Sequence, residues 1–199
     1  MISCKDIISY LDANYNYKGK LSSLSDNSKI TSEVEAYDFD KIKEIIYKDC
    51  RSADALLIKN NINMIEFKTG FDSPSEELSE KLKKENMKLS IRVKAYESLH
   101  LLQTAILDEL SPRDELADGI KVVFCAVIDT DEPTVADDAI VDILSDEGGV
   151  SEHKSLKVKW IEDIMRIYRK ETDKHKKLFY DEAFVLYDYE FDKSIKIFR

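Results

Sequence analysis

The stretch SADALLIKNNINMIEFKTG, residues 52–70, decides the fold. Two apolar runs, 55–59 and 62–67, flank the pair Asn60-Asn61. Asn tolerates positive φ, so this pattern predicts a β-hairpin with a tight connection. Asp54 stands just ahead of the first run, and Glu66-Phe67-Lys68 closes the second. Side chains alternate along a strand, so Glu66 and Lys68 share one face. Asp54 joins that face only if the connection holds an odd number of residues. A three-residue loop over 60–62 would set Asp54 opposite Lys68 and Leu56 opposite Glu66. A strict two-residue turn would turn Asp54 to the other face. The odd loop, or an equivalent bulge, is the expectation.

Working outward, residues 4–13 carry apolar positions at helical spacing, whereas 14–32 are polar and read as a loop. Phe39, Ile42, Ile45 and Ile46 predict a short helix from about Asp40. Beyond the hairpin, Ser73 or Ser75 could cap a helix over 76–84. Ile91, Ala95, Leu99, Leu102, Ile106 and Leu110 form one apolar stripe, which predicts a long helix over 89–110. Ser111-Pro112 ends it. Residues 120–128, IKVVFCAVI, are β-branched and apolar without interruption, as expected of a strand buried on both faces. A further helix is expected over 156–174, with Trp160, Ile164 and Ile167 inward. The aromatic tail 179–198 suits a strand and a final short element.

Chain length suggests a single domain over 1–199, and an apolar share of 43% suffices for a core. Cys4, Cys50 and Cys125 are scattered and lack CxxC spacing, which favours reduced thiols and a cytoplasmic setting over a disulfide framework or zinc site. No signal-peptide pattern or membrane span is read in the chain, so no membrane partner is expected. The formal net charge is -10, but residues 129–149 carry eight acids and no Lys or Arg; removing that -8 leaves -2 elsewhere. Basic residues gather in two places, from Lys81 to Lys94 and from Arg166 to Lys177. Each set could face phosphate or simply be a solvated helix face.

Carboxylates at neighbouring strand ends are donors of the kind a hard cation such as Mg²⁺ prefers, and a lysine beside them can orient or help deprotonate a water. The alternative is an ordinary strand with solvated polar ends. A second match, Asp142 with Glu152-His153-Lys154, has no strand signal around it and reads as chance. Phosphate-loop and dinucleotide motifs are absent, and His153 and His175 lack partners at ligand spacing.

Asp54…Glu66-Phe67-Lys68, on a hairpin preceded by a helix and followed by a helix and a buried strand, resembles the PD-(D/E)XK nuclease superfamily over about residues 33–128. The resemblance implies an α/β fold with a restriction-endonuclease-like αβββαβ core. That core is a mixed sheet flanked by helices, here with C-terminal helix and strand additions over 150–199. It implies that Asp54 and Glu66 hold Mg²⁺ (or Mn²⁺) and that Lys68 activates water. Ala53 stands where the family signature has Pro. The family also draws a glutamate from its first helix; Glu35 and Glu44 both qualify, and Glu44 is preferred because it lies within the helical pattern. The long helix after the motif often contributes to phosphate binding, which points to Lys94 and Ser98, one turn apart, or to Arg92. The implied function is a metal-dependent nuclease acting on nucleic acid, with DNA the expected substrate. Members often cut both strands as dimers, so an oligomer is compatible. The alternative is a catalytically inactive interaction or regulatory protein on the same fold, with the acidic 129–149 segment docking on a protein partner.

Overall fold

The computed structural model describes residues 1–71, 85–130, 151–176 and 178–198. The expected helix over 76–84 and nearly all of the acidic 129–149 segment lie outside them. The described chain is α/β, built on one six-stranded mixed sheet in the order β1-β2-β3-β4-β5-β6. These strands are β1 Lys18–Lys20, β2 Glu35–Asp38, β3 Ala55–Ile58, β4 Ile62–Lys68, β5 Val122–Ile128 and β6 Glu182–Tyr187. The pairings β1–β2, β2–β3 and β3–β4 are antiparallel, whereas β4–β5 and β5–β6 are parallel.

Helices cover one face of this sheet. They are α1 (Cys4–Asn14), α3 (Glu85–Leu101) and α4 (Ser151–Lys176). Their apolar stripes meet Leu56, Ile58, Ile62, Met64, Phe124 and Ala126 in the larger core. The short helix α2, Phe39–Ile46, joins β2 to β3, with Asp38 Oδ1 accepting from the Lys41 N–H at 3.0 Å as its cap. The opposite face of the sheet is closed by the 21–34 segment and by α5 (Asp188–Ser194) with its 3₁₀ extension Ile195–Phe198. Both faces of β5 are therefore dry, as its unbroken apolar sequence predicts.

The hairpin has the expected odd loop, displaced by one residue. Ile58 pairs with Ile62 and Leu56 with Met64, so the loop is residues 59–61 rather than 60–62. Extending this register places Asp54 across from Glu66, not Lys68. Burial of Ile62 explains the displacement: its side chain is fully enclosed, whereas Lys59 gives up nothing by entering the turn. The Asn61 carbonyl accepts from the Lys59 N–H at 3.0 Å, and its side-chain oxygen accepts from the Lys121 N–H at 3.1 Å. Gly70, at φ 88°, then turns the chain off β4 in a conformation that favours glycine.

Other expectations shift in instructive ways. The expected loop 14–32 contains β1 and one helical turn, Leu21–Leu24, and β2 occupies 35–38 ahead of α2. β1 is three residues of Lys-Gly-Lys at the sheet edge, so it carries no apolar signal. The long helix begins at Glu85 and passes through a π-helical stretch, Leu102–Leu107, before ending at Leu110; Leu101, Leu102 and Ile106 stay buried throughout. α4 is longer than expected at both ends, and residues 152–154 lie within it rather than on a strand. The cysteines are unpaired. Among the described residues no helix is long and apolar enough to cross a membrane.

Ile62→Ala is expected to lower the unfolding free energy by about 2–5 kcal/mol, and Lys59→Ala to change it by less than about 0.5 kcal/mol. Urea titrations of the two variants check the 59–61 loop, because in a 60–62 loop Ile62 would sit in the turn and its truncation would cost little.

Candidate active site

Glu66 is the point around which the site assembles. Its parity puts it on the helix-covered face of β4, among Met64, Leu56 and the packed side of α3, with no exposed surface. A bare carboxylate there would cost several kcal/mol. Two ammonium groups offset this. Lys68, two residues on along the same face, places Nζ 2.5 Å from Glu66 Oε1. Lys94, reaching down from α3, places Nζ 2.8 Å from Glu66 Oε2 and 3.2 Å from Asp54 Oδ1. Asp54 Oδ2 accepts from the Phe67 N–H at 2.6 Å, tying the end of β3 to β4. Asp54, Glu66, Lys68 and Lys94 thus form a nearly buried group of two carboxyl and two ammonium side chains.

Packing fixes the position of Lys94. Ser98, one turn further along α3, accepts from the Ala53 N–H at 2.7 Å and is itself fully buried. Tyr180 donates its hydroxyl proton to the Ala95 carbonyl at 2.6 Å and touches Met64 sulfur at 3.1 Å. These two bonds clamp α3 over the hairpin on either side of the lysine.

Burial dominates the electrostatics. The Glu66 carboxyl is pushed up to about 7, first by desolvation and then by the neighbouring Asp54 charge, with Lys68 and Lys94 pulling the other way. Asp54 is also raised, mainly by burial, against the pull of Lys94. Lys94 is raised because the two carboxylates outweigh its desolvation.

Beside Asp54 opens a cavity of about 380 Å³ whose lining includes Asp26, Asp38, Asp40 and Glu44. Glu44, the preferred family glutamate, borders this cavity from the exposed side of α2. Asp40, one turn earlier on the same helix face, is the acid whose charge bears on Asp54; its Oδ1 accepts from the Ser52 hydroxyl at 2.6 Å. Sequence reasoning passed over Asp40, although its i, i-4 relation to Glu44 was available. Glu35 lies on β2 and lines a separate small cavity with Lys18 and Tyr37. Among the described residues no three Asp, Glu, His or Cys side chains gather as a metal-ligand group.

The three residues expected to meet phosphate are engaged within the protein. Lys94 bridges the carboxylates, Ser98 holds Ala53, and Arg92 Nε donates to Glu171 Oε2 of α4 at 2.5 Å. Tyr168, also on α4, was not anticipated; it is buried within reach of the Glu66 charge, and its hydroxyl has no hydrogen-bond partner among the described residues.

Donor chemistry at Asp54 and Glu66 fits a hard divalent cation: oxygen donors from adjacent strands that converge on a single positive charge, here the Lys94 ammonium. No family model, curated protein or solved structure matches the chain. The geometry at Asp54, Glu66, Lys68 and Lys94 therefore carries the functional assignment.

The pH dependence of stability follows from Glu66. The folded protein keeps its proton up to about pH 7, whereas the unfolded chain releases it near 4.5. Between those values the folded state binds more protons, so stability falls as pH rises. The full loss above pH 7 is on the order of 3 kcal/mol. In EDTA, Glu66→Gln is expected to show a less negative slope of unfolding free energy against pH in that window. Identical slopes for wild type and variant would contradict the burial of an ionisable group there.

Proposed function

We propose that the protein is a metal-dependent nuclease that hydrolyses phosphodiester bonds of nucleic acid, with DNA the first substrate to test. The observation that carries this is the convergence of Asp54 and Glu66 on one cation position, with Lys68 paired to the other oxygen of Glu66. The strand order supports it. β2, β3 and β4 form an antiparallel run, and α3 then leads into β5, parallel to β4, as in the βββαβ portion of the PD-(D/E)XK core. The helix α2 falls between β2 and β3 instead of ahead of all three strands, which is a departure from that plan.

In this assignment Asp54 and Glu66 hold the divalent cation, which would supply a Lewis acid for the scissile phosphate. Lys68, a fifth exposed at its side chain and paired as an ammonium with Glu66, would orient the attacking water by donating to it. Burial raises the proton affinity of both carboxyls, so a divalent cation would have to displace a proton from Glu66 as well as Lys94. Lys94 must yield its place between them or share it.

That last requirement favours a second function for the same site. Because Lys94 already neutralises the pair, a non-catalytic interaction protein could keep this arrangement as a structural ion cluster. Titration calorimetry with Mg²⁺ and Mn²⁺ separates the two: a nuclease site binds metal, and Asp54→Asn abolishes the heat, whereas a structural cluster gives none in either protein.

With Mg²⁺ or Mn²⁺ present, wild-type protein is expected to degrade labelled DNA, and Lys68→Ala to lower the rate about 10²–10⁴-fold. The absence of metal-dependent loss of any DNA or RNA substrate, at generous enzyme concentration, would overturn the nuclease assignment.

A further inference from the structure

Between α3 and α4 lies a groove with about 430 Å³ of enclosed space, lined by cations in two rows. Lys88 and Arg92 stand four residues apart on α3, and Arg166, Lys170 and Lys174 repeat that interval on α4. A four-residue step returns to the same helix face about 6 Å further along the axis. Glu171 is the acid in this lining, held by Arg92 at 2.5 Å and Lys174 at 2.8 Å. Among the described lining residues five cations meet one carboxylate. Arg166 is also paired with Asp163 at 2.5 Å, which leaves Lys88 and Lys170 as a surplus of positive charge on a chain whose formal net charge is -10. A surplus of one sign along a groove suits a polyanionic ligand.

The row on α3 does not end with its cations. Tyr96 and His100 occupy the next two four-residue steps, their rings parallel to within 3° and 6.4 Å apart between centroids. Tyr96 is 53% exposed, and Phe179, 42% exposed, meets it edge-on at 5.6 Å. Both residues keep about half their surface in solvent beside these ring contacts. Aromatic surface in line with a cationic track is the chemistry that binds unpaired bases and their phosphates together.

We propose that the α3–α4 groove binds single-stranded nucleic acid, with phosphates along the cation rows and bases stacked on Tyr96 and its aromatic neighbours. A duplex turns its base faces inward onto one another, so it could use the cations but not the rings. The groove lies beside the candidate active site: Arg92 is two residues from Lys94, and Tyr168, one turn before Glu171, lies within reach of the Glu66 charge. The substrate class rests on the nuclease assignment; binding itself does not.

The test is fluorescence anisotropy in EDTA with a 5′-fluorescein-labelled oligothymidylate of ~16 nucleotides, against a duplex of equal length. Single strand is expected to bind at least tenfold tighter than duplex. Tyr96→Ala is expected to weaken single-strand binding roughly 5–150-fold and leave duplex affinity unchanged, while Tyr96→Phe retains it. The exposed double variant Arg166→Glu/Lys170→Glu is expected to weaken both ligands and to reduce the salt slope for single strand by about 1.4. Absence of binding to either ligand, equal affinity for both, or indifference to Tyr96→Ala would each overturn the proposal. A strand that is bound but never cut when metal is added would refute cleavage and leave the groove standing. Metal-dependent cutting with unimpaired binding by the Tyr96 and charge-reversal variants would refute the groove and leave cleavage standing.

Discussion

A carboxylate removed from water at the end of β4 constrains much of what is packed around it. Glu66 sits in the central part of the sheet, between β3 and β5, under the helix-covered face, where an unpaired charge could not persist. Lys68 and Lys94 supply the compensation, one from the same strand and one from α3. The second requires α3 to lie over the hairpin at a set rotation and height. Ser98 and Tyr180 impose that rotation and height through bonds to the backbone of Ala53 and Ala95. The long helix is therefore held to the sheet by polar contacts at the place where its apolar stripe passes the site.

Burial of this kind is weak evidence for stability, because well-packed apolar residues often replace buried ion groups without loss. What it provides is a group of charged atoms with few alternative arrangements. Two carboxyl groups share the Lys94 ammonium, with the Lys68 ammonium alongside. The acidic cavity beside Asp54 opens this group to solvent on the α2 side, and Asp40 brings a further negative charge to its rim. The cationic groove lies on the opposite flank, between α3 and α4. The candidate site thus has a lining rich in acids on its α2 side and one rich in cations between α3 and α4.

Several parts of this arrangement were legible in the residues. The hairpin, the long helix, the buried strand and the terminal helix and strand all carry strong periodicity, and each is present. The odd loop parity followed from requiring Asp54, Glu66 and Lys68 to share a face. The loop position did not follow, because shifting it by one residue at each end preserves parity and changes only the cross-strand partners, which the shared-face requirement does not fix. β1 escaped notice because an edge strand of three polar residues owes its existence to a neighbour's unpaired backbone. β2 did so because four residues, only two of them buried, are too short to show a period. Asp40 escaped because a charged residue in a first helical turn looks like an ordinary dipole partner.

The sequence by itself determined the alternation of apolar runs and therefore which side of β4 bears Glu66 and Lys68. That follows from the two-residue repeat of a strand, which is local and admits no other outcome once the core side is known. Only the tertiary structure decided the role of Lys94. Read along its helix, it is one basic residue among several; its place between Asp54 and Glu66 depends on where α3 docks against a hairpin some thirty residues away in the chain. The two facing cation rows were likewise visible as charge clusters, but a groove exists only because α3 and α4 pack side by side. Periodicity is written into the chain one residue after another, whereas charge pairing across the fold depends on packing that closes long loops.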